Sequence, residues 1–274
     1  MDANRFNQIL VVDSIPTGDS NTAKRLFEDL EAYAGAYSPS PAVRYLRVES
    51  GDELIQCILK CRKDADEQDI IPMLHIECHG DEDGFQFADG SLADWEELKL
   101  PITKLNIATR LNLMIAVAAC TGGALAKVVR MSDRAPFWGL IGPTKTLKPE
   151  ELEKAYSALY RTLLSTKSPA KAVQAMDAAT KAGLFIRTTS QGLFEKAWTS
   201  YKKEYCSAEV LEVRAKRMRK RLEQTSDTPL LTTDELKWRL INLEPKAFER
   251  FRDTFFMCDL FPEHSSRFPV EYVA

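Results

Sequence analysis

Two apolar runs in this chain stop abruptly in polar turns that carry glycine. Ile70 to Cys78 ends in His79-Gly80, and Leu111 to Ala119 ends in Cys120-Thr121-Gly122-Gly123. Short apolar runs closed in this way predict fully buried parallel strands. Elements of both periodicities surround them. Gln8 to Asp13 predicts a first strand, and Asn21 to Tyr33 a helix with Leu26, Leu30 and Tyr33 on one face. Ala42 to Val48 alternates as a strand, and Leu54, Ile55, Ile58 and Leu59 mark an amphipathic helix entered through Ser50-Gly51-Asp52. Phe85 to Gly90 predicts a small hairpin arm with an Asp-Gly turn, followed by a helix from Trp95 to Ile107 that Pro101 is placed to interrupt. Phe137 to Pro143 predicts a short strand, and Leu152, Tyr156, Leu159 and Leu163 a helical stripe. The next helix has Ser168 as its cap, Pro169 in its first turn and Gly183 as its stop. Helices alternating with strands argue for an α/β domain, a mainly parallel sheet with helices on both faces.

After about Gly192 the pattern is helical and offers no convincing strand. The predicted division is a sheet domain over residues 1–190 and a helical accessory region over 191–274. Within the latter, Glu209 to Gln224 carries Arg214, Lys216, Arg217, Arg219, Lys220 and Arg221. Thr225 to Pro229 reads as a turn or linker. Thr232-x-x-Glu235 reads as a capping box ahead of a stripe of Leu236, Leu240 and Leu243. Phe248, Phe251 and Phe255 read as core packing. The basic run suits an acidic protein partner or nucleic acid, although a solvated face is the commoner meaning of such a run. The accessory region is expected to serve a partner or regulation and to hold no catalytic residue.

Composition narrows the classes. The chain has 274 residues, 45% hydrophobic and 28% charged, with a formal net charge of −3, so nothing drives the whole molecule toward nucleic acid or membrane. No secretory signal and no membrane-length run occurs. Six cysteines are too sparse for a disulfide scaffold. A reducing, cytoplasmic setting is expected.

The chemistry concentrates at the two strand ends. In an open α/β sheet, reactive groups gather at the carboxyl ends of the strands. His79 and Cys120 stand there as a base and a thiol, and such a pair cleaves acyl bonds. His75, Glu77 and His79 share one side of a strand at period two, so Glu77 is placed to orient His79, to line a substrate pocket or to pair behind the site. Asp81, Glu82 and Asp83 form an acidic loop, with Asp81 and Asp83 candidates for a basic substrate side chain. Cys57 and Cys61 lie four apart on a helix and Cys78 is near His75, but no Cys-x-x-Cys occurs and no zinc site is expected. Gly122-Gly123 lacks the Lys-Ser/Thr of a phosphate loop. No cofactor or metal is expected.

His79-Gly80 and Ala119-Cys120-x-Gly122 at two strand ends resemble the caspase-like cysteine peptidases, with a spacing somewhat shorter than the roughly 50 residues of caspases. Ile76 to Gly80, Asp83-Gly84-Phe85, Asp89-Gly90, Trp95-x-x-Leu98 and Leu140 to Pro143 are similar to the CHAT branch of bacterial caspase-like proteases. The likeness spans roughly residues 6 to 185. It implies a central sheet flanked by helices, His79 as base and Cys120 as nucleophile. It also implies an oxyanion hole from the backbone N–H groups of Gly80 and Cys120. A helix opening at Thr121-Gly122-Gly123 is then expected to lower the thiol pKa. The specificity pocket is left open, because Ala118-Ala119-Cys120 replaces the caspase Gln-Ala-Cys. The resemblance further implies a protein substrate and a regulatory protein partner in a bacterial defence or cell-death pathway; neither membrane nor direct nucleic-acid binding is expected. The alternative is a caspase-like scaffold that binds without catalysis.

Overall fold

The alternating pattern folds as its periods require. A computed structural model describes residues 5–35, 39–181, 183–225 and 231–272. Two compact units result, Met1–Val129 with Ala135–Ser190, and Arg130–Arg134 with Gln191–Ala274.

In the first unit β1 (Gln8–Ser14), α1 (Thr22–Ala34), β2 (Ala42–Arg47), α2 (Gly51–Gln68) and β3 (Pro72–Gly80) lead into a small arm, β4 (Gly84–Gln86) and β5 (Leu92–Asp94). Then come α3 (Trp95–Ala108), β6 (Met114–Ala118), a 3-10 helix (Gly122–Val128), β7 (Gly139–Pro143), α4 (Pro149–Thr166), α5 (Pro169–Ala179) and β8 (Phe185–Thr189). The sheet runs β2-β1-β3-β6-β7-β8, parallel except for β8, with β4 and β5 attached to the end of β3. Helices flank it. On one face Ile9, Val11, Met73, Ala116 and Ile141 pack with Leu26 and Leu30 of α1 and with the buried stripe of α4. The strands are apolar almost throughout because both faces are covered.

Two expectations for this unit change. Pro101 does not interrupt α3, which runs through it. A reciprocal capping box of Asp94 and Glu97 and the burial of Leu98, Ile102 and Leu105 outweigh the one backbone bond that proline removes. Gly183 is not the stop of α5, which ends at Ala179 with Thr180 extended; Gly183, at φ +81°, makes the turn into β8. β8 itself carries no clear sequence signal. It is a five-residue antiparallel edge strand whose burial alternates from Phe185 outward, too short and polar for its period to stand out.

The second unit is helical, and among the described residues it holds no strand. Its elements are α6 (Ser190–Tyr205), α7 (Ala208–Thr225), α8 (Thr233–Phe255) and α9 (His264–Arg267). Thr232 and Glu235 close the expected capping box on α8. Fully buried Phe194 meets Phe248, Phe255 and Phe256 at ring-centre distances of 5.7, 5.3 and 5.3 Å. Phe248 and Phe255 are thus core, whereas Phe251 stays partly exposed. Leu243 is exposed, because the buried line shifts by about a third of a turn between Leu236 and Phe248. The linker expected up to Pro229 lies, beyond Thr225, outside the described residues.

Candidate active site

β3 and β6 are neighbours, paired in parallel with Glu77 opposite Ala118. Both segments run on past the last paired position, with His79 two residues beyond Glu77 and Cys120 two residues beyond Ala118. The two ends touch. A Cβ added at Gly80 would lie 3.2 Å from the Ala119 Cβ and 3.3 Å from the Cys120 carbonyl oxygen. Glycine leaves room for this approach, and the backbone of residue 80 lies against the turn that bears the thiol.

That turn is tightly seated. Thr121 adopts the left-handed conformation at φ 52°, and its hydroxyl donates to the Cys120 carbonyl at 2.7 Å. Gly122 N–H donates to the Ala119 carbonyl at 3.0 Å. A Cβ on Gly122 would fall 2.2 Å from Val117 Cγ1. The following helix is a seven-residue 3-10 segment that starts after Thr121. The helix expected to open at Thr121-Gly122-Gly123 is thus present, as a short 3-10 segment.

His79 is half-exposed, and its Nε2 lies 3.0 Å from Asp19 Oδ2. Asp19 belongs to the loop between β1 and α1, and sequence reasoning missed it. Buried Asp13 holds that loop. Its carboxylate accepts from Ile15 N–H and from Asn21 Nδ2, each at 2.8 Å, from Arg47 at 3.1 Å and from the Tyr45 hydroxyl. Arg47 also donates to the Ile15 carbonyl at 2.6 Å, and Asn21 caps α1. Burial, then the bond to Asp13, push the Tyr45 phenol up to about 12. Asp13 had a readable signal, a carboxylate closing an apolar strand like His79 and Cys120. Asp19 had none, since its partner lies far along the chain.

Glu77 does not reach His79. It is buried, with one oxygen 2.8 Å from His75 Nε2 and the other accepting from the Thr22 hydroxyl at the start of α1. His75 Nδ1 lies 3.1 Å from the Tyr160 hydroxyl. Burial pushes the Tyr156 and Tyr160 phenols well up, helped by Tyr160 and then Glu77 for Tyr156 and by Glu77 for Tyr160. Of the three residues on this side of β3, two close a buried network and only His79 emerges at the edge. Asp81 builds its own turn, accepting from Asp83 and Gly84 N–H at 2.8 and 3.1 Å. The Asp83 carbonyl accepts from Trp95 N–H at 3.1 Å, and Glu82 pairs with Lys127 at 3.3 Å.

Cys57, Cys61 and Cys78 are buried, and Cys78 is pushed well up by that burial. Burial and Glu244 push Cys206 up; burial and Asp253 push Cys258 up to about 11. Neither change suits a nucleophile. Among the described residues no group of histidines, cysteines and acids could hold a metal ion, and no helix is long and apolar enough to cross a membrane. No protein-family model matches the chain, and no curated protein matches it.

Proposed function

We propose that the chain is a cysteine endopeptidase of caspase-like type, acting on a protein substrate under the control of a partner protein. The observation that carries this reading is the parallel register that brings the ends of β3 and β6 together, with Gly80 against the Cys120 carbonyl. The residue likeness to caspase-like peptidases supports it further.

With Nε2 of His79 given to Asp19, Nδ1 is the nitrogen left to take the thiol proton. Cys120 Sγ attacks the scissile carbonyl carbon and forms a C–S bond. The backbone N–H groups of Gly80 and Cys120 stabilise the oxyanion. The C–N bond breaks as His79 returns the proton to the leaving amine. Water, deprotonated by His79, then hydrolyses the thioester and frees the thiol. Asp19 is a positioning residue in this scheme. Glu77 acts further back, holding β3 to α1 beneath the edge.

The test is covalent labelling with a thiol-reactive peptide probe, joined to a screen for new amino termini in a proteome exposed to the protein. Labelling at Cys120 that is lost in Cys120→Ala, with cleavage lost in Cys120→Ala and His79→Ala alike, is the expected result. The double variant should be no worse than either single, because the two act as a unit. Full cleavage by either single variant refutes the dyad, and folded protein with no labelling or cleavage at all favours a non-catalytic scaffold.

A further inference from the structure

The first unit holds a recess of about 390 Å³ at the amino ends of its strands. Phe6 and Asn7 line it just ahead of β1, Ser40 and Pro41 just ahead of β2, and Met114 at the start of β6. The other wall is the end of α4, with Pro169 of α5. Because β1, β3 and β6 are parallel, His79 and Cys120 stand at the opposite ends of the strands. Protein interiors rarely leave a void larger than a water molecule, whereas small-molecule sites run to about 300–1,000 Å³. At about 30 Å³ each, roughly a dozen water- or methylene-sized groups fit in the recess. Its depth is apolar: Pro41, Met114, Leu163 and Leu164 are buried, and Phe6 is partly so.

The rim is polar and cationic. Its polar side chains are Arg5, Asn7, Ser40 and Lys167, and no carboxylate is among them. Asn7 is consumed by the fold, since its amide donates to the Asp69 carbonyl at 2.9 Å and accepts from Ile71 N–H at 2.8 Å. The Ser40 hydroxyl donates to the Pro41 carbonyl at 3.3 Å. The charge at the mouth is therefore that of Arg5 and Lys167, both exposed. Arg5 is anchored by its backbone N–H, which donates to Asn112 Oδ1 at 3.2 Å, and its guanidinium has no acidic partner among the described residues. Lys167 closes α4 in the left-handed conformation, φ 52°, with its N–H donating to the Leu163 carbonyl at 2.8 Å.

These walls select an occupant that is apolar along its body and anionic at its wet end. A cationic amphiphile would meet two like charges. A phosphate is held best by clustered backbone N–H groups at a helix N-terminus. Here α4 presents its carbonyl end, and α5 opens with Pro169, which has no N–H to give. A carboxylate needs less, because a single guanidinium can take it with two parallel hydrogen bonds.

We propose that this recess binds an aliphatic monocarboxylate of medium chain length, with its alkyl chain against Met114, Leu163 and Leu164 and its carboxylate at Arg5 and Lys167. The proposal does not depend on the peptidase reading. Isothermal titration calorimetry of the full chain with hexanoate, octanoate, decanoate and dodecanoate, each below its micelle concentration, tests it. Affinity should rise about fourfold per added methylene until the recess is full. Arg5→Gln combined with Lys167→Asn should weaken decanoate binding about three- to tenfold. A pair of the same charge change on α6, Lys196→Gln with Lys203→Gln, should leave it unchanged. Leu164→Trp, which fills the recess, should abolish it, with circular dichroism reporting whether that variant folds; if it does not, the charge variants and the chain-length series decide. Decylammonium should bind at least tenfold more weakly than decanoate. Absence of saturable decanoate binding, equal binding of decanoate and decylammonium, or equal losses in the two double variants overturns the proposal. So does undiminished binding to folded Leu164→Trp, or an affinity that does not change with chain length.

Discussion

Gly122→Ala is a direct test of the geometry that presents Cys120. The added methyl would lie 2.2 Å from Val117 Cγ1 and 2.9 Å from Val117 Cβ. Contact between carbons is comfortable only at about 3.5–4.0 Å, so the methyl cannot enter unless the turn or the strand moves. The strand has little freedom: Val117 is fully buried in β6, and its carbonyl accepts from the Tyr156 hydroxyl at 2.7 Å. Overpacking of this kind costs about 1–3 kcal/mol, and the closeness of the overlap places this site near the upper end. Val117→Ala alone removes two buried methyls and should cost roughly 1.5–3 kcal/mol. Together the two changes should not add, because the new methyl occupies the space the old ones leave. A coupling of about 2 kcal/mol in favour of the double variant is expected. Native-state amide exchange over Met114–Ala118 across a urea series is the suitable assay, since two compact units make a single global transition a poor measure. The alkylation rate of Cys120 should change in Gly122→Ala and recover in the double variant. A neutral Gly122→Ala, or costs that add to within about 0.5 kcal/mol, would refute the close approach.

Three further outcomes are expected. Asp19→Asn should lower kcat of peptide cleavage by about three- to tenfold with KM unchanged; a half-exposed carboxylate adds only part of a charge-assisted bond, and an unchanged kcat would remove Asp19 from the scheme. Glu77→Ala should destabilise the first unit by about 2–4 kcal/mol, because it leaves buried His75 and Thr22 without their hydrogen-bond partner, whereas a loss under about 1 kcal/mol in amide exchange of β3 would show that these two bonds do not hold β3 to α1. Tyr45, pushed up to about 12, is held neutral in the fold and ionises near 10 when unfolded, so its contribution is complete below about pH 10 and is lost as pH rises toward 12. Tyr45→Phe should remove one late-titrating phenol from the near-ultraviolet absorbance titration, and an unchanged count of late phenols would contradict the bond to Asp13.

The strands and most helices were legible because their periods are local properties of the chain. Leu113 to Ala118 is apolar at every position, which suits a strand covered on both faces, and its shortness and the glycines that follow favour strand over helix. Asn21, Ser50 and Thr232 announced their helices because a capping side chain acts within three residues. The candidate dyad was legible for a related reason, since strand ends with glycine and reactive groups are visible without knowing how the strands pair. Pairing is what local pattern cannot carry. That β3 lies beside β6, in the register that sets Glu77 opposite Ala118, goes with burying the faces of both strands under α1 and α4. The partners of Glu77 were equally hidden. Spacing along β3 puts it on the side of His79, but the space above it is occupied by Thr22 and His75, and a buried carboxylate goes to the donors it meets. β8 exists because the edge of β7 needs a hydrogen-bonding neighbour, a demand that comes from the sheet and leaves only a faint trace in Phe185 to Thr189. The exposure of α7 from Lys216 to Arg221 belongs to the same class. Its charges are written in the chain, but whether a neighbour covers them depends on packing between residues far apart in sequence.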